Sequence, residues 1–408
     1  MTQPKVSSTS AAVMVALATL LMAVSYLDRQ VFAILAPTLT RELAIDDATY
    51  GWLAATFSFA YLVAPPFAGA LLDRTGVRVG LPLAVVAWSV VAALHAGVSG
   101  VVMLFGLRFL LGLAESPSFP GAARVVREVV APASRSRAFG VLFTGSSLGA
   151  IIAPRLATAM FSSFGWRFTF VGTALVGLLW IPAFTLAARR SPVRDVLDAA
   201  RAEPAASGGF VTAIRTPAVW RSTAIIVAAA PVAAFSLLWG AKMLVGRFGI
   251  AQKDVGTYLW LPPLVFDVGA IVFGDLASRL RARSPAWVAL PFGVAALLSV
   301  AVALVVTTRD PWAAVAFVGV AMAGVGGVFA IQTAVLLERM PPALASVAAG
   351  INAGAQSLAY IVASAIVGRV VSRTGGYDAA LVGLGLWAIP GALVWLVWPR
   401  FFRDEGER

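Results

Sequence analysis

The chain has 408 residues, 60% of them hydrophobic and 12% charged, with a mean hydropathy of +0.89. A water-soluble chain of this length needs about twice that charge to cover its surface, so the reading is an all-α integral membrane protein. Cysteine is absent and His95 is the single histidine, which excludes disulfides, thiolate chemistry and a Cys- or His-cluster metal centre.

Apolar segments long enough to span a bilayer recur twelve times. They lie near 11–37, 49–72, 79–97, 101–130, 138–161, 167–188, 219–247, 254–278, 286–307, 312–338, 344–372 and 378–399. The first segment lacks a small-residue cleavage site and carries Asp28-Arg29, so it reads as a retained helix rather than a signal peptide. One set of loops holds fourteen basic residues, among them Lys5, Arg74, Arg135, Arg189 and Arg281, against five on the other side. Positive residues stay inside, which places both termini in the cytoplasm and assigns the net charge of +12 to anionic headgroups rather than nucleic acid. The polar stretch 189–218, charged and then Pro/Ser/Gly-rich, divides a six-helix bundle over 1–188 from another over 219–408.

An internal repeat supports that division. Gly69-x-x-x-Asp73-Arg74-x-x-x-Arg78 is matched 205 residues later by Gly274-x-x-x-Ser278-Arg279-x-x-x-Arg283. At the same offset Gly51 meets Gly256, Gly145 meets Gly350 and Gly149 meets Gly354. Parallel six-helix repeats are a transporter organisation, with the substrate site near the midplane.

Charge inside the apolar segments is the functional signal. Arg108 and Glu115 are seven residues apart, so they share a helix stripe and lie about 10 Å apart along the axis. Such residues are costly in lipid and mark ion paths, proton relays or ligand sites; the alternative is a structural ion pair. The repeat mates of Asp28, Arg29, Arg108 and Glu115 are Ala233, Ala234, Ala313 and Val320. The first half therefore handles charge, and the second offers neutral groups such as Gln332, Asn352 and Gln356. These are pocket donors or interhelical hydrogen bonds.

Arg29 presents a planar fork suited to a carboxylate, or else neutralises Asp28. A low-dielectric setting penalises the charged form of Glu115, while a nearby Arg108 favours it, so a pair that opens and closes is a proton switch. Tyr61 is a hydroxyl donor or a packing residue. Asp73, Arg74, Arg78 and Arg124 read as an inner-gate network. Arg155 is a second anion contact or an outer-gate residue, and Asp267 a relay or a satisfied structural acid. Lys242 snorkels or draws anions to the outer mouth. His95 is expected at headgroup level.

Together these motifs resemble the major facilitator superfamily. The loop signature Gly69-x-x-x-Asp73-Arg74-x-Gly76-x-Arg78 carries that likeness. Ser25-Tyr26-Leu27-Asp28-Arg29, Arg108-x-x-x-Gly112-x-x-Glu115-x-x-x-x-Pro120, the run from Gly145 to Pro154, Gly165-Trp166-Arg167 and Trp260-Leu261-Pro262 resemble its anion:cation symporter family. The resemblance implies proton carriers at Asp28 and Glu115, a substrate-carboxylate contact at Arg29, Arg108 coupled to the glutamate, and pocket positions at Tyr61 and near Asn352. Ser146 stands where galactonate-type members tend to carry glutamine, Gln332 near a frequent tryptophan, and Arg155 where many relatives have a second proline.

The expectation is the major facilitator fold, twelve helices in two pseudo-symmetric bundles, in a monomer of the inner membrane. It is expected to import a small organic anion with protons, a sugar acid such as a hexuronate or aldonate, with lipids as its other partners and no cofactor. The runner-up cargo is a short mono- or dicarboxylate. A non-transporting sensor would need a sizeable signalling domain, and an enzyme would need a nucleophile–base set or metal ligands that the sequence does not offer.

Overall fold

The computed structural model describes residues 6–199 and 209–401. Sixteen α-helices follow one another among these residues: α1 (Ser8–Glu42), α2 (Asp47–Val63), α3 (Pro65–Thr75), α4 (Val77–Leu94), α5 (Val101–Glu115), α6 (Ser118–Val129), α7 (Arg135–Ala188), α8 (Val193–Ala199), α9 (Gly209–Arg215), α10 (Pro217–Phe248), α11 (Gly256–Leu259), α12 (Leu261–Arg283), α13 (Ala289–Ser299), α14 (Pro311–Arg339), α15 (Pro342–Thr374) and α16 (Asp378–Phe401).

Among the described residues, ten helical stretches are long and apolar enough to cross a membrane. The difference from twelve segments has two causes. The second segment is broken at Ala64, where Pro65 and Pro66 remove backbone donors, so α2 and α3 each fall short of a full span. The fifth and sixth segments run together as α7, a 54-residue helix interrupted at Gly165. That residue has φ 79° and ψ 172°, a conformation open to glycine and costly for a side chain. The break falls at Gly165-Trp166-Arg167, between the two segments read from the sequence.

The chain folds as two compact units. The first holds the described residues of Met1–Ile45, Thr56–Glu203 and Gln252–Trp260; the second holds those of Asp46–Ala55, Pro204–Ala251 and Leu261–Arg408. Each unit therefore includes a short segment that sequence order assigns to the other bundle. Repeat-related glycines make both placements possible. A Cβ on Gly51 would lie 2.5 Å from the Ser364 carbonyl oxygen of α15, and one on Gly256 would lie 2.4 Å from the Pro154 carbonyl oxygen of α7. Only a residue without a side chain admits backbone at that distance.

The first unit buries Leu21, Met14, Trp88 and Phe184 between α1, α4 and α7, and the Trp180 indole donates to the Leu17 carbonyl at 2.7 Å. The second packs α10 against α14, α15 and α16, with Trp239 and Phe235 enclosed and Phe292 stacked on Trp395 at 3.6 Å. The expected 189–218 linker is structured at both described ends, and residues 200–208 lie outside the description. Val193, Val196 and Leu197 bury one face of α8 in the first unit's core, and Ala213 of α9 packs with Val219 and Leu336 in the second. The i, i+3, i+4 spacing of the three apolar residues supplies the stripe that docks α8.

Candidate functional site

Three buried charged residues, Asp28, Arg108 and Glu115, gather in the first unit, while the second buries Arg221, which donates to the Trp395 carbonyl at 3.0 Å. Arg29 and Ser25 are one turn apart on α1 and converge on the same acid at the last turn of α5. Arg29 Nε donates to Glu115 Oε2 at 2.7 Å, Ser25 Oγ donates to the same oxygen at 3.0 Å, and Arg29 Nη2 donates to Ser25 Oγ at 3.1 Å. Glu115 is fully buried, and its other oxygen, Oε1, has no hydrogen-bond partner. Aromatic faces surround the guanidinium: its carbon is 4.3 Å from the ring centre of Tyr61, 4.8 Å from Tyr26 and 5.2 Å from Phe57. A charge-assisted bond shielded by aromatic rings is stronger than its counterpart in water.

Arg29, rather than Arg108, therefore holds Glu115. Arg108 is as buried as Glu115, its guanidinium lies over Phe32 at 4.2 Å and Phe57 at 4.9 Å, and its field reaches Glu115. The physical reason is direction. Two side chains leaving one stripe in parallel, about 10 Å apart, meet less easily than side chains reaching across from facing helices.

Asp28 follows a different course from its neighbour. One residue turns the helix by about 100°, so Asp28 leaves the Arg29 face and points toward α4 and α7. The Thr173 hydroxyl and the Trp88 indole are turned toward its carboxyl. Neither oxygen closes a hydrogen bond of normal length, and the residue is 3% exposed.

In the second unit a neutral network takes shape. Ser222 on α10 donates to Gln332 of α14 and accepts from Asn352 Nδ2 of α15 at 2.6 Å. Thr223 donates to Asn352 Oδ1 at 3.3 Å. Gln332 and Asn352 are thus joined, whereas Gln356 bonds along its own helix to Tyr360 at 3.4 Å. No sequence signal marked Ser222 or Thr223, since hydroxyls on apolar helices usually bond their own backbone.

The remaining expected residues fall elsewhere. Ser146 is half-buried on α7 beside Gly145, and Arg155 is exposed with its guanidinium 5.0 Å from the Trp260 ring. Arg78 pairs with Asp198 of α8 at 2.9 Å, a partner the motif did not suggest. Arg124 donates to the Leu72 carbonyl at 3.5 Å, Arg74 is exposed, and the Asp73 side chain lies outside the description. Lys242 does not snorkel free: it pairs with Asp47 at 2.7 Å. His95, expected at headgroup level, is 1% exposed, bonded through Nδ1 to the Val91 carbonyl and stacked on Phe170. Its other ring nitrogen, Nε2, is buried without a hydrogen-bond partner.

Comparison with known proteins sets this geometry in context. Residues 18–363 match the family model described as Major Facilitator Superfamily. The probable galactarate/D-glucarate transporter of Bacillus subtilis (strain 168) is 26% identical over 93% of this chain and 89% of its own length. The hexuronate transporter of Escherichia coli (strain K12) is 28% identical over 64% of each chain. A bacterial homologue of the human lysosomal transporter Spinster, solved inward-facing and unoccupied, superposes with a TM-score of 0.83 at 18% identity, covering 97% of this chain and 98% of that one. That last likeness is one of fold.

Proposed function

The chain belongs to the major facilitator superfamily, and on that premise we propose that it is a proton-coupled importer of a small organic anion, a sugar acid of the hexuronate or aldarate kind. The named sugar-acid transporters among its relatives support the cargo class. The observation that carries the coupling is the Arg29–Glu115 bond. One cation serves one acid, so a substrate carboxylate that uses the Arg29 fork competes with Glu115 for it. Protonation of Glu115 removes its charge and frees Arg29, and anion binding then follows proton binding without a separate device. The unpartnered Oε1 is the oxygen open to the incoming proton. Both termini are cytoplasmic in this reading, and transport proceeds by alternating access of the two repeats.

The test is uptake into proteoliposomes of galacturonate, galactarate and a panel of short carboxylates. Glu115→Gln mimics the protonated acid but cannot release a proton. It binds the anion and exchanges labelled for unlabelled substrate, yet does not accumulate it under an inward proton gradient. Accumulation equal to the parent's would remove Glu115 from the mechanism.

A further inference from the structure

The cluster around Arg29 leaves one buried acid and its surroundings without a role. Asp28 faces a wall made by α4 and the second arm of α7. Trp88 and Ser89 of α4 are buried, and the indole Nε1 and the hydroxyl Oγ lack hydrogen-bond partners, as do both Asp28 oxygens. Thr173 of α7 is equally buried, and its hydroxyl is within reach of the Thr169 and Phe170 carbonyls at 3.1 and 3.3 Å. Gly177, one turn further, borders the same space: a Cβ there would lie 2.9 Å from Ser89 Oγ and 3.8 Å from Trp88 Nε1. Buried polar atoms left unpaired cost free energy, and such a concentration around one carboxyl calls for an explanation.

We propose that Trp88, Ser89 and Thr173 are positioning residues for Asp28, forming a chamber of neutral donors in which its carboxyl exchanges a proton apart from the Arg29 site. The indole N–H and the two hydroxyls donate to the carboxylate when the proton leaves. When it returns, a hydroxyl oxygen accepts from the carboxylic acid and the Thr173 hydroxyl falls back on its helix carbonyls. No cation is needed, in contrast to Glu115. The charged group acting on Asp28 is Glu115 of α5; α4 and α7 present the neutral groups named, and His95 beyond α4 is stacked on Phe170. The two carboxyls thus titrate as neighbours with different partners, one answering to a guanidinium and one to dipoles.

The inference rests on the transport reading for its purpose, but its test does not. Purified protein in nanodiscs is titrated while the carboxyl C=O stretch is followed by infrared difference spectroscopy. The Asp28 band is the one missing from Asp28→Asn. Thr173→Val and Ser89→Ala each remove a donor without adding bulk. They raise the band's frequency and move its titration midpoint to higher pH by roughly half to one unit. Thr173→Ser restores both, and Trp88→Phe tests the indole. A band and midpoint identical to the parent's in Thr173→Val, Ser89→Ala and Trp88→Phe overturn the proposal, as does an Asp28→Asn spectrum that loses no titrating band. Proton-driven uptake is measured in parallel. Shifted bands with uptake indifferent to a proton gradient would defeat the transport reading and leave the chamber standing.

Discussion

The first unit buries Asp28, Arg108 and Glu115 and half-buries Arg29 against Glu115, whereas the second, built on the same repeat, joins Ser222, Thr223, Gln332 and Asn352 without an ion and leaves its buried Arg221 to donate to the Trp395 carbonyl. The repeat mates are not merely neutral. Ala234, the mate of Arg29, is 1% exposed, but Val320, the mate of Glu115, is 39% exposed. The second unit does not turn both positions inward, so it could not rebuild the pair by substitution alone. The glycines diverge in the same way. Gly145 lets α7 approach α1 until a Cβ would meet the Thr19 carbonyl oxygen at 2.2 Å, while its mate Gly350 has open space. Duplication preserved a helix order and left each unit to find its own contacts. The charged site belongs to the unit in which two facing helices come close enough to share an acid.

Placing a cation in the second unit tests this most severely. Ala234→Arg buries a guanidinium beside alanines, and the expected result is loss of a monodisperse folded species in detergent, which a second change of Val320→Glu does not rescue. A folded Ala234→Arg protein would show that the second unit tolerates charge at the position that matches Arg29. Next in size is Arg29→Ala, which strands Glu115 and lowers stability by about 3–5 kcal/mol at a pH where the acid is ionised. Adding Glu115→Gln recovers most of that loss. By contrast Asn352→Ala, in the neutral network, costs about 1 kcal/mol, and equal thermal shifts for the two single variants would erase the distinction.

The glycine pair gives a smaller, signed difference. Gly145→Ala costs about 1–3 kcal/mol by overpacking the α1–α7 contact. Gly350→Ala gains up to about 1 kcal/mol, since an open helical glycine only forfeits backbone entropy. Thermal midpoints moving in the same direction would count against the asymmetry. An effect of similar size belongs to a helix end that neither chemistry touches. The Thr49 hydroxyl and, second to it, the Thr49 backbone N–H, which donates to Asp46 Oδ1 at 2.7 Å, hold the Asp46 carboxyl below the usual range. Its contribution is complete above the unfolded value near pH 4 and fades as pH falls through the folded one. Asp46→Ala costs about 1 kcal/mol at neutral pH. Asp46→Asn keeps most of the cap and flattens the acid side of the stability profile, which thermal unfolding at pH 7 and pH 3 compares.

Composition and hydropathy by themselves determined a membrane-spanning helical chain, because burying apolar length in lipid leaves few alternatives. The 205-residue spacing exposed the repeat, and the cost of intramembrane charge singled out Asp28, Arg29, Arg108 and Glu115. Helix periodicity, however, reports which way a side chain faces and not what it meets. Glu115 meets Arg29, 86 residues away, and Asp28 meets side chains of α4 and α7; these choices depend on how closely α1 approaches each neighbour. The same holds for the segments 46–55 and 252–260, whose places were decided by backbone contact at Gly51 and Gly256. Hydrophobic burial is nearly additive along a sequence, whereas pairing a charge needs two helices at one distance and angle, and that only the tertiary structure supplies.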